Sequence, residues 1–130
     1  MKQHPLTGYI QQLASLMGLA NWRVRIQGGT TDPDAYAQTI PWERRYQAEI
    51  TLKQDWRPES QEDLREVLVH ELLHLHFWAT EQAFKSVETL MERPAHAAVL
   101  DRYQTAQEQT IHQIARFWAP KLPLPPPIKE

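Results

Sequence analysis

The sequence predicts an α+β fold, and three observations predict it. Apolar residues near the N-terminus recur at helical spacing, two or three short stretches then alternate with period two, and the C-terminal half is helical again. Consecutive antiparallel strands followed by helices argue for α+β rather than an alternating α/β arrangement. A chain of 130 residues suits one hydrophobic core. The expected organisation is a single domain over residues 1–119 and a proline-rich tail over 120–130.

Leu6, Ile10, Leu13, Ala14 and Met17 define the first amphipathic helix, from about Leu6 to Met17, with Gly18 as its stop. Trp22, Val24 and Ile26 alternate with Arg23, Arg25 and Gln27, as in a half-buried strand, and Gly28-Gly29 marks a turn. Ala35 to Ile40 is a weaker second strand that Pro41 should end. The third strand is clearer: Tyr46, Ala48, Ile50 and Leu52 alternate with Gln47, Glu49, Thr51 and Lys53.

Ser60 with Asp63 three residues on resembles a capping box. The helix that follows carries Leu64, Val67, Leu68, Val69, Leu72, Leu73, Leu75 and Phe77. It is apolar almost all round, so it should lie buried at the centre. Glu81 to Met91 reads as helical, and Pro94 fits the first turn of another helix bearing Val99, Leu100, Tyr103, Ile111, Ile114 and Trp118. From Pro120 onward five prolines in eleven residues give an extended tail, either packed back on the domain or disordered.

Composition excludes several classes. The hydrophobic fraction is 42% and the charged fraction 23%, ordinary for a soluble globular protein. A net charge of −2 gives no global basic field for nucleic acid or an anionic membrane. Arg23, Arg25, Arg44 and Arg45 form a modest basic cluster, read as a solvated sheet face and turn. With no cysteine, disulfides and thiolate metal sites are excluded, so a transition metal must be held by His and carboxylate groups. Met1 to Met17 lacks the apolar run and cleavage site of a signal peptide, and no stretch reaches the roughly 20 apolar residues of a membrane span. The expectation is a cytoplasmic protein with no membrane or nucleic-acid partner.

The chemistry-bearing run is His70-Glu71-Leu72-Leu73-His74. On a helix, positions i and i+4 differ by about 40° in azimuth and about 6 Å in rise, so both imidazoles point to one side. Two imidazole nitrogens so placed can share one tetrahedral zinc ion. Glu71, on the same rim, can act as general base on a water whose pKa zinc has lowered, then pass the proton to a leaving amine. Two histidines and a glutamate on an apolar helix would be costly to bury as purely structural groups, which favours the metal reading. His76, about 200° round the helix from His74, cannot reach the same ion and is read as satisfied or partly exposed. Trp56 and Trp78, flanking this helix, are read as core packing.

The segment Val69-His70-Glu71-Leu72-Leu73-His74-Leu75 resembles the active-site helix of zincin metallopeptidases. The order of elements, from roughly Trp22 to Pro123, is similar to the small single-domain zincin-like proteins often found in phages and prophages. That resemblance implies a zinc-dependent peptidase acting on a peptide or protein, in a bacterial host cytosol if phage-encoded. It implies that Ala48 to Leu52 is an edge strand beside the substrate cleft, and that Glu108 to Ala119 is the terminal helix. The H-E-x-x-H-x-x-G-x-x-H form is excluded, because Phe77 and Thr80 hold its glycine and last histidine positions. A catalytic zinc needs a third protein ligand and an open position. His96 and His112 are candidates on the pattern of DNA-repair-type zincins; Glu81, Glu88, Glu92 and Glu108 are candidates on the gluzincin pattern. Glu81 is too close to His74 for the chain to turn back. Glu108 is preferred, with Glu92 next, because Ile111 and Ala115 follow it at helical spacing and because it resembles the glutamate that opens that terminal helix. His112 and Tyr103 are weaker candidates for stabilising a reaction intermediate. The expected set is therefore Glu71 as base and His70, His74 and Glu108 on Zn2+. The alternative is an inactive zincin scaffold that binds a peptide or protein partner.

Overall fold

The computed structural model describes residues 4–28, 37–42, 46–52 and 57–127. Helix α1 (Thr7–Leu16) leads into strand β1 (Arg23–Gly28), then β2 (Ala37–Trp42) and β3 (Gln47–Leu52). Two long helices follow, α2 (Gln61–Lys85) and α3 (Arg93–Trp118), joined through a 3₁₀ segment, Ser86–Leu90. The α+β class is as expected.

The strand order is not. The sheet runs β1-β3-β2, with β3 parallel to β1 and antiparallel to β2. The expected all-antiparallel sheet is therefore a mixed one. Ala48 to Leu52 is the central strand, hydrogen-bonded on both sides, and not an edge. Pro41 does not end the second strand but lies within it, opposite Ala48. A residue without an N–H is tolerated there because β2 is an edge strand. Ala35 and Tyr36, at the start of the expected second strand, lie outside the described residues, as do Lys53, Trp56, Arg44 and Arg45.

Alternation decides which sheet face is covered. Val24, Ile26, Ala48, Ile50 and Leu52 are buried, while Arg23 and Arg25 are exposed. Arg25 pairs across the solvent face with Glu49, its register partner, at 3.2 Å. On the inner face α1 packs on β1 and α2 on β2. Leu6, Ile10, Leu13, Leu64, Leu68 and Leu72 fill the space between them.

Helix α1 ends as the sequence suggested. Gly18 adopts φ of 82°, and Leu19 N–H donates to Ala14 O at 2.8 Å while Gly18 N–H donates to Ser15 O at 3.2 Å. This pair of bonds caps the last carbonyls with a left-handed residue. The Gln11 side chain then fixes α1 to the incoming strand, donating to Trp22 O and accepting from Val24 N–H. Ser60 caps α2 by accepting from Asp63 N–H at 3.0 Å.

The proline-rich segment packs back on the domain. Tyr9 Oη, Gln61 Nε2 and Arg65 Nη1 donate to the carbonyls of Pro123, Pro125 and Leu122 at 2.7, 2.7 and 2.9 Å. Pro125 is fully buried. Among the described residues, no helix is long and apolar enough to cross a membrane.

Candidate metal centre

Helix α2 supplies three of the four residues of interest. Its apolar residues Leu68, Val69, Leu72, Leu73 and Leu75 are buried, which fixes the rotation of the helix. His70 and His74 are thereby left half-buried on the side facing α3, with Glu71 buried beside them. Ligand-capable atoms of His70, Glu71 and His74 all lie within 4.8 Å of one another, so these residues could hold a metal ion.

The fourth residue comes from α3. The pairs His70–Glu108, Glu81–Gln104 and Phe84–Tyr103 show that α3 runs antiparallel to α2. Glu108 Oε2 lies 3.1 Å from His70 Nε2, and Glu108 Oε1 lies 2.8 Å from His74 Nε2. One carboxylate thus spans both imidazoles. Glu108 does not open a terminal helix, because α3 is continuous from Arg93 to Trp118 and places it in mid-helix.

The other candidates are separated from this point. Glu92 is exposed at the N-cap of α3, sixteen residues before Glu108 and so about 24 Å away along the helix. Glu88 is exposed in the 3₁₀ segment, and His96 is buried about 18 Å along α3 from Glu108. Glu81 accepts from Gln104 and pairs with Lys85. His112, one turn after Glu108, has its ring 6.4 Å from that of His70. Tyr103 stacks on Phe84 with centroids 4.7 Å apart. His76 is exposed, and Trp78 packs edge-on against Trp22 at 6.0 Å.

Electrostatics separate the roles. Burial, with the charge of Glu108 adding to it, pushes the Glu71 carboxyl up from 4.5 to about 7, against a Thr39 hydrogen bond that lowers it. Such a group is a carboxylate with the basicity to take a proton near neutrality. Burial lowers His74, and His70 lowers it too, while Glu108 and Glu81 pull it upward. The burial effect favours the neutral imidazole that a metal requires.

Thr39 is the member of the site that sequence reasoning missed. Its Oγ1 lies 2.9 Å from both the main-chain O and the Oε1 of Glu71. Thr39 is opposite Ile50 in the β2–β3 register, so it shares the inner face. The alternation Ala37-Thr39-Pro41 carried that signal, but only once its register against β3 was known.

No protein-family model matches the chain, and no curated protein or solved structure matches it.

Proposed function

We propose that this protein is a zinc-dependent peptidase of the zincin type. The observation that carries the reading is the convergence of four groups. Two imidazole Nε2 atoms face the two oxygens of Glu108, with a buried, proton-accepting Glu71 beside them.

The donor set fits zinc in kind and in size. Two nitrogens and a carboxylate are ligands of catalytic zinc sites, and zinc bonds of 2.0–2.2 Å imply ligand–ligand separations of about 3.4 Å. The contacts of 3.1 and 2.8 Å fall short of that by about 0.3 and 0.6 Å, so the three groups would part slightly around an ion. His70, His74 and Glu108 would hold the ion. When bound, zinc would supply Lewis acidity, polarising the scissile carbonyl and lowering the pKa of the attacking water.

Glu71 then takes the proton from the water as its oxygen attacks the carbonyl carbon. The carboxyl, restrained by Thr39, gives that proton to the amine as the C–N bond breaks, and the carboxylate is restored. An extended peptide would pair with the outer side of β2, which is an edge strand of the described sheet and packs against α2. This replaces the docking edge that the sequence put at Ala48 to Leu52.

Two measurements test the reading. Zinc content of the purified chain should be one ion per molecule, unchanged in Glu92→Ala and weakened or lost in Glu108→Ala. Glu71→Gln should keep the zinc and lose peptide hydrolysis by about 10²–10⁴-fold. A well-folded wild type that takes up no zinc would end the metallopeptidase reading. One that binds zinc but cleaves no peptide, even across varied substrates, would favour a binding scaffold.

A further inference from the structure

We propose that Pro41 sets where main-chain recognition of the substrate stops: a peptide docked along β2 is held in a ladder on the Ala37 side of Thr39 and not on the Pro41 side. The proposal rests on the reading of the site as a peptidase centre with β2 as its docking strand. It follows from counting the main-chain donors that β2 can offer.

In an antiparallel pair, opposed residues alternate between two kinds. Some exchange both N–H···O bonds with each other, and the others exchange none and turn those groups away. Along β2, Ala37, Thr39 and Pro41 stand opposite Leu52, Ile50 and Ala48 and share one parity, while Gln38 and Ile40, opposite Thr51 and Glu49, share the other. Pro41 has no N–H to exchange, so its parity is the one turned away from β3, as for proline on edge strands generally. The N–H and C=O groups of Ala37 and Thr39 therefore face outward, and those of Gln38 and Ile40 bind β3. The side chains of Ala37, Thr39 and Pro41 are half-buried, although those of their partners on the central strand are buried, as suits a strand open on one side.

The outward row is interrupted beside the site. Thr39, whose Oγ1 lies 2.9 Å from Glu71 Oε1, offers both a donor and an acceptor at that level. Two residues on, Pro41 offers a carbonyl alone. Whichever way the peptide runs, one of its carbonyls there meets no N–H. A substrate gains from each residue added toward Ala37, and gains little from those added toward Pro41. The same gap argues for a peptide, and against a second copy of the chain, as the occupant: pairing two β2 strands edge to edge would carry the proline into the new ladder, a device that blunts exposed edges.

The test uses zinc-loaded protein and a nested series of synthetic peptides, one core sequence lengthened residue by residue at each end. In the wild type, lengthening at one end should raise kcat/KM and lengthening at the other should leave it flat. Pro41→Val supplies the missing N–H. Peptides lengthened at the flat end should then gain about 2–10-fold, the effect of one net hydrogen bond, with the shortest peptides and the zinc stoichiometry unchanged. Pro41→Ala carries the same expectation should the valine variant fail to fold. An independent readout uses metal-free wild type without peptide: amide hydrogen exchange should be fast at Ala37 and Thr39 and slow at Gln38 and Ile40. Equal length dependence at both ends, a Pro41→Val chain indifferent to length, or a protected Thr39 amide would each overturn the proposal. So would a Pro41→Val chain that associates with itself but gains nothing on longer peptides, which would leave Pro41 as a guard against self-pairing. A wild type without zinc or hydrolysis would instead sink the peptidase reading. The same peptides would then decide by NMR: shifts of the Ala37 and Thr39 amides would keep the interrupted docking row, and their absence would overturn it.

Discussion

At Glu71 the requirements of folding and of chemistry oppose each other. The carboxyl is 7% exposed, and burial raises its pKa from 4.5 to about 7. In metal-free protein, between those values, the folded state holds a proton that the unfolded state has released. The free energy of unfolding due to Glu71 is therefore greatest below pH 4.5, falls as pH rises toward 7, and levels off above it. Glu71→Gln removes this dependence. The metal-free variant should thus gain on the wild type, by an amount on the order of a few kcal/mol, between pH 4.5 and pH 8. His74, whose pKa is lowered, contributes with the opposite slope, its stability lost as pH falls below 6.5, but it is present in both proteins. Urea unfolding of the pair at the two pH values checks this; a constant difference would mean that Glu71 is not buried as a charge. His70, Glu71 and His74 were legible in the sequence because one helix carries all three, and helical geometry is local. Thr39 was not, because its part depends on a strand register set by contacts far along the chain.

The same division between local and distant holds for the elements. Helix α1 with its Gly18 stop, strand β1 and the Ser60 cap of α2 were readable, since each is written in a few neighbouring residues. The placing of β3 between β1 and β2 was not, since parallel pairing joins Val24 to Ala48 and no tight turn announces it. Helix ends were harder to read: the stretch Glu81 to Met91, expected to be helical, is divided between the last turn of α2, which runs unbroken to Lys85, and the 3₁₀ segment Ser86–Leu90. The tail left two possibilities open, and its buried Pro125 with three carbonyl acceptors favours the packed one. Those bonds tie α1 and the first turns of α2 together, so a chain ending at Lys121 should lose roughly 3 kcal/mol from the three hydrogen bonds, at about 1 kcal/mol each, and more from the apolar burial. An unchanged urea midpoint in that truncation would show the segment to be a passenger.

Over the whole molecule, α3 is the loosely held part. Its buried residues are His96, Gln107, Ile111 and Ala115, and most of its other residues are exposed, whereas α2 is packed along most of its length. Glu108 is the point where a ligand would bind the two helices to each other. A metal taken by His70, His74 and Glu108 binds the docked arrangement and not the unfolded chain, so it must stabilise the fold by mass action. At a free zinc concentration 100 times Kd the gain is about 2.7 kcal/mol. The wild-type thermal midpoint should therefore rise on adding zinc, and amide hydrogen exchange should slow in α3 around Glu108 as well as in α2. Glu108→Ala should lose most of the midpoint rise and all of the added protection in α3, because the remaining ligands both lie on α2. Equal protection of α3 in the variant would place the third ligand elsewhere on that helix, where the His112 ring lies 6.4 Å from that of His70. A midpoint indifferent to zinc in the wild type would mean that the carboxylate joins the two histidines as an ion pair, with no metal between them.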